Sequence, residues 1–330
     1  MSVTADYVLD SRGDQRELDA FVVAAAWCGN TPAFALGDGT LRLADWQSVA
    51  AHDGGVLAMA ATGDGFVTGG DDGVFQRIGL DGAKTVIAEF GMKWVEQVAA
   101  HGATLACGVG KTAHVFEGGA KLKALDHPST VTGLAFDAKG KRLAASHYNG
   151  ATLWFVAAKV DSPRRLEWKG SHTGVAIHPA GDAVVTAMQE NSLHGWRLAD
   201  GQHMRMSGYP AKTESLSFTR NGKWLASSGA DTVVLWPFFG GGPMGKAPIE
   251  LAGGDSILCT RVACHPQHEV VAAGFADGLV VLADIPSARI LPVAAPGRGP
   301  ISALAWSGDG ARLALGTETG FAALVDLSKR

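Results

Sequence analysis

Apolar and polar residues alternate with a period of two in short runs along the chain, and the runs recur at a regular interval. Residues 131–155 read VTGLAFDAKGKRLAASHYNGATLWF, residues 213–236 read TESLSFTRNGKWLASSGADTVVLW, and residues 301–325 read ISALAWSGDGARLALGTETGFAALV. Each stretch predicts three strands: an alternating one (Leu134-x-Phe136, Leu216-x-Phe218), a second rich in small apolar residues, and a third after a tight turn. The pattern occurs eight times, with first strands centred on Ala25, Met59, Val98, Leu134, Val175, Leu216, Val262 and Leu304 and spacings of 34 to 46 residues. Shorter segments such as Lys121–Leu125 and Arg164–Trp168 follow the three-strand units and are expected to be outer fourth strands.

The turns agree with this reading. Asp38-Gly39, Asp72-Gly73, Asn149-Gly150 and Asp277-Gly278 stand between second and third strands, where residues that tolerate positive φ close hairpins with the right twist. Four-stranded units repeating every forty or so residues, without long amphipathic helical patterns, predict an all-β fold: a closed β-propeller of four-stranded antiparallel blades. The repeat count gives eight blades, with seven as the alternative. One domain spans 1–330, with the repeats over 20–330. The last repeat runs out at the C-terminus, so a strand from residues 1–19 is expected to complete the last blade and remove an open edge.

Residues 20–330 resemble the WD-repeat family. The resemblance rests on the strand pairs Leu143–Trp154 and Leu225–Trp236 and on a His ahead of several repeats, at His52, His127 and His172. It implies a buried hydrogen-bonded network of such a His, a turn Asp and a strand Trp. The pieces seldom coincide here: one repeat has His52 and Asp72 but no Trp, another has His127 and Trp154 but Asn149.

Composition narrows the function. The chain carries 44 glycines, nine tryptophans and a net charge of −4, and no basic field of the kind that nucleic-acid binding requires. Cys28, Cys107, Cys259 and Cys264 form no CxxC and read as reduced thiols. The N-terminus lacks a signal-peptide pattern and no long apolar run exists, which predicts a cytoplasmic protein without membrane contact.

Candidate chemistry is sparse. The segment from Gly240 to Ala247 approaches the phosphate-cradling GxxxxGK[ST] loop, but Ala247 replaces the hydroxyl residue and no helix follows. No GxSxG elbow or HExxH pair occurs, so no catalytic residue and no cofactor is assigned. Cys259, Cys264, His265 and His268 bring soft ligand types together, but Cys264 occupies the core position of Phe136, Phe218 and Trp306 in sister repeats. The loop after Trp236-Pro237 sets Phe238 and Phe239 beside a glycine-rich stretch. In a propeller that loop shares a face with the 264–268 turn, so Phe238, Phe239, Met244, Lys246, His265 and His268 are the expected partner-binding patch. The opposite face, with Asp72, Tyr148, Asn149, Asn191, Asp231 and Asp277, is expected to be polar and acidic. The resulting expectation is a non-enzymatic, monomeric scaffold that holds protein partners. The alternatives are a metal-handling accessory protein using the Cys/His rim and an enzyme with a site in the central channel.

Overall fold

A computed structural model describes residues 6–328 of the chain. The second strands of the repeats are buried along their whole length, as in Gly65–Gly70 and Ala183–Met188. Such strands lie between two neighbouring sheets, which is why they read as unbroken small and apolar runs rather than as alternating ones. First strands face a neighbouring sheet and the axis, and are half-buried, as in Val56–Ala61 and Leu216–Phe218. Outer strands such as Ala120–Asp126 are mostly exposed. The fold is an all-β propeller of antiparallel blades.

The strands gather into seven sheets, not the eight of the repeat count. Six are four-stranded and one is six-stranded. The six-stranded sheet takes in the fourth and fifth repeats, because Arg142–Phe155 and Arg164–Ile177 are each 14 residues long and run on where the sequence suggests breaks. Within it the pairings fall into two sets. Gly133–Phe136 pairs with 143–146 and 150–153 pairs with 164–167. Residues 172–177 pair with 184–188, and the remaining strands of the fifth repeat follow. The Tyr148–Ser171 pair joins the sets. The chain turns inside Arg142–Phe155 at Asn149 (φ 66°), and Val156 N–H donates to Lys141 O at 3.0 Å across the base of that hairpin.

The expected N-terminal strand is Gly13–Glu17, which pairs antiparallel with Phe321–Asp326 and completes the sheet of the last repeat. Residues 1–5 of the 1–19 segment assigned to this role lie outside the described residues. First and last repeats are neighbours: Ser302 Oγ donates to Val22 O (2.6 Å) and Trp27 Nε1 to Ala305 O (3.0 Å). Gly316 allows this approach, since a Cβ there would overlap the Val22 side chain. Register shifts recur at the start of first strands, at Val22/Ala24, Val56/Ala58, His172/Gly174, Cys259/Arg261 and Ile301/Ala303. These bulges turn each strand towards the axis at the same point.

Candidate functional site

The loop after Trp236 folds on itself. Phe238 lies edge-on to Phe218 (centroids 5.0 Å) and stacks over His178 (5.9 Å), so it belongs to the core of the sixth repeat. Phe239 stands edge-on to Trp224 at 5.3 Å, with Lys246 Nζ 4.8 Å above its ring. The same ammonium caps the carbonyls of Phe239, Gly240 (3.3 Å) and Gly242 (2.9 Å). Lys246 therefore ties a glycine-rich loop together, and the loop turns its carbonyls, not its amides, inward. A phosphate cradle needs the reverse. Phe239 and Met244 remain half-exposed, each at 46%.

His265 and His268 stack on one another at 4.8 Å in the next repeat. His265 is buried with both ring nitrogens engaged: Nδ1 accepts from the amides of Gln267 and His268 (3.0 Å each), and Nε2 donates to Gly310 O (3.1 Å). Desolvation lowers its pKa and keeps the ring neutral. Cys259 is buried in the core and Cys264 Sγ donates to Ser217 O, and burial pushes both thiols up to about 12. These atoms are committed to the fold rather than turned towards a shared centre. Among the described residues no group of three His, Cys, Asp or Glu could hold a metal ion. The structure thus joins Phe238, Phe239, Met244 and Lys246 in one loop and pairs His265 with His268. Nearby, Glu269, which follows His268 in the chain, accepts from Asn221 Nδ2 at 2.6 Å in the first turn of the sixth repeat.

His265 belongs to a rim of contacts the sequence does not announce. His101 reaches Ala138 O (3.3 Å), Arg142 Nη2 reaches Gly181 O (2.8 Å), His178 Nε2 reaches Gly222 O (2.9 Å) and Arg312 Nη2 reaches Asn30 O (3.0 Å). Each side chain leaves the first turn of one repeat and ends on the first turn of the next. Gly222 and Gly310 sit at φ 69° and 71°, and a Cβ on either would overlap the incoming imidazole.

The opposite face carries the links between repeats and the second hairpin turns, held together by bonds such as Val95 N–H to Gly70 O (3.0 Å) and Tyr148 N–H to Ser129 Oγ (2.8 Å). The expectation of a polar, acidic face needs correction. Met92 is 97% exposed, Trp94 57% and Tyr148 57%. The signal was present as Met92-Lys93-Trp94 in a link too short to bury them.

Beneath this face lie the polar networks that the WD-repeat resemblance implies, each in part. His52 Nδ1 meets Asp72 at 3.0 Å and His52 Nε2 meets Thr68 Oγ1 at 2.8 Å. Burial alone would raise the Asp72 carboxyl, but the Val74 amide and His52 hold it below its ordinary value. In the fourth repeat Trp154 Nε1 donates to His127 Nε2 at 3.0 Å. In the sixth repeat Tyr209 takes the place that His127 holds in the fourth, as the acceptor for the strand Trp. Its hydroxyl, buried and with its pKa pushed up to about 12, meets Ser227 Oγ at 2.6 Å and accepts from Trp236 Nε1 at 2.6 Å.

At the axis, a cavity of 490 Å³ opens among the first strands, with Lys212, Glu214 and Arg261 in its wall. Arg261 Nη1 meets Glu214 Oε2 at 3.0 Å and Lys212 Nζ meets Glu214 Oε1 at 3.3 Å. Burial would raise the Glu214 carboxyl, but Arg261 and Lys212 outweigh it and hold it below the ordinary range.

No protein-family model matches the chain. Autophagy-related protein 16 of Arabidopsis thaliana is 26% identical over 149 residues, which are 43% of this chain. The match spans only 28% of that relative's length. The crystal structure of a computationally designed protein, Ika8, superposes with a TM-score of 0.78 at 19% identity, covering 94% of this chain and 98% of that one. At that identity the likeness is one of fold, over nearly the whole length of both chains, and the fold of this chain is a β-propeller.

Proposed function

We propose that this chain is a non-enzymatic protein-interaction scaffold of the WD-repeat type, a closed ring with a partner docked on the face of the links. The observation that carries this reading is the exposure of Met92, Trp94 and Tyr148 on one face of a rigid frame. Large apolar and aromatic side chains held in water by a pre-ordered surface are the anchors protein partners use, because little ordering entropy is lost when they are covered. The partial His52–Asp72, His127–Trp154 and Tyr209–Trp236 networks favour the WD-repeat affiliation. A cytoplasmic, monomeric protein is part of the same reading, and no helix among the described residues is long and apolar enough to cross a membrane.

A second reading keeps the partner on the loop that carries Phe239 and Met244, since both are half-exposed. Affinity capture from the native host separates the two. Immobilised Met92→Ser/Trp94→Ser protein is expected to lose about tenfold or more of the partner that wild type retains, as for a hot-spot pair. Phe239→Ser/Met244→Ser protein is expected to retain it. The reverse pattern would move the partner to the loop face, and substrate turnover dependent on channel-lining residues would overturn the scaffold reading altogether.

A further inference from the structure

The bulge near the start of the first strand is followed by a small residue in four repeats, at Ala24, Ala58, Gly174 and Ala303, and Ala24, Gly174 and Ala303 line the cavity at the axis. The equivalent position in the seventh repeat is Arg261. The sequence thus sets one guanidinium into a position that the other repeats fill with Ala24, Ala58, Gln97, Gly133, Gly174, Ser215 and Ala303, none of them charged. The guanidinium is aimed, not loose: Nε donates to Ser302 O at 2.7 Å and Nη1 donates to Thr260 O (2.9 Å) and Glu214 (3.0 Å). Among the described residues Nη2 has no hydrogen-bond partner. Lys212 Nζ stands on the other oxygen of Glu214, and its ion pair there uses one of three donors. Two cations therefore flank a single carboxylate, leaving one net positive charge in the wall of a 490 Å³ cavity, a size that accepts a small organic molecule.

We propose that the central cavity binds a small carboxylate, held by Arg261 Nη2 and Lys212 Nζ, with Glu214 as an internal carboxylate that orients both cations and competes with the ligand. Guanidinium and ammonium groups pre-aimed into a cavity recognise carboxylates by charge-assisted hydrogen bonds. The smaller residues at the sister positions leave room for the ligand's carbon frame. The carboxylate could come from a free small acid or from the C-terminus of a peptide, and the two offer the same group to the same cations. The inference is independent of the scaffold reading, which concerns side chains on the outer face.

Calorimetric titration of the full chain tests it with succinate, with its uncharged analogue succinamide, and with a tripeptide bearing either a free or an amidated C-terminus. Saturable binding of succinate or of the free-acid tripeptide, and not of succinamide or the amide, is expected, and which acid binds identifies the source. Glu214→Gln should tighten that binding by about tenfold, because it removes the competing charge and keeps the shape. Lys212→Ala and Arg261→Lys should each weaken it by about as much, with the β-sheet circular dichroism unchanged. A purely structural ion triad predicts the opposite sign or no effect for Glu214→Gln. No saturable binding of either acid at millimolar concentration to wild type and Glu214→Gln, or Glu214→Gln binding no more tightly, would overturn the proposal.

Discussion

The loop 238–248 and the link 91–94 both place large apolar side chains next to glycine, yet the loop packs Phe238 against the core and half-covers Phe239 and Met244 while the link leaves Met92 and Trp94 more exposed. In the loop, Phe238 turns into the core against Phe218 and His178, and Phe239 lies between Trp224 and Lys246. The loop is long enough to supply its own partners, including a lysine that gathers three of its carbonyls. In the link, four residues span the gap from Phe90, which bonds Gly73, to Val95, which bonds Gly70. With both ends fixed, Met92 and Trp94 find nothing to cover them. Aromatic content does not decide exposure; the length of chain available to fold back does.

Substitutions that dismantle one region and spare the other sharpen this contrast. The largest effect is expected from Phe238→Ala, which opens a void between Phe218 and His178; a loss of about 3 kcal/mol in urea unfolding is expected. Gly222→Ala comes next. It forces a Cβ into the His178 ring that supports Phe238 and adds left-handed strain, for about 2 kcal/mol. Lys246→Ala should cost about 1 kcal/mol and is better read by limited proteolysis, with new cleavage between Gly240 and Gly245. Trp94→Ser should change stability by no more than about 0.5 kcal/mol, since its side chain supports nothing. A large loss there would show that the link is structural.

Acid probes the networks under the link face. His127 accepts from the Trp154 indole at Nε2, so its Nδ1 carries the proton and donates to Lys111 O at 3.2 Å. Desolvation lowers its pKa from 6.5 to about 4. The unfolded chain therefore binds a proton more readily than the folded one. The stability from the neutral ring is full above the unfolded value of 6.5 and is lost progressively as pH falls through it towards 4. Melting temperatures at pH 7.5 and 5 should differ in that direction, and His127→Gln should narrow the difference.

Much of the fold was legible because strand alternation and hairpin turns are local. Leu134-x-Phe136 and Leu216-x-Phe218 are paired as their pattern implied, and the N-terminal strand was foreseen from the missing partner of the last repeat. The fusion of the fourth and fifth repeats was not, since the Tyr148–Ser171 pairing is made by backbone groups that every residue carries. Tyr209 was passed over because a search for His does not see a phenol placed to do the same bonding. The site was read less well. Lys246 and His265 have chemistry that a ligand could use, but backbone carbonyls and amides consume it, and those acceptors and donors leave no mark in the sequence. Arg261, by contrast, stands out once the repeats are aligned against Ala24, Gly174 and Ala303.

Hydrogen–deuterium exchange on the captured complex tests most directly which face receives the partner. The account predicts new protection of amides in 90–95 and 146–150, with 238–246 exchanging as in the free protein. Protection confined to 238–246 and 265–269 would contradict it.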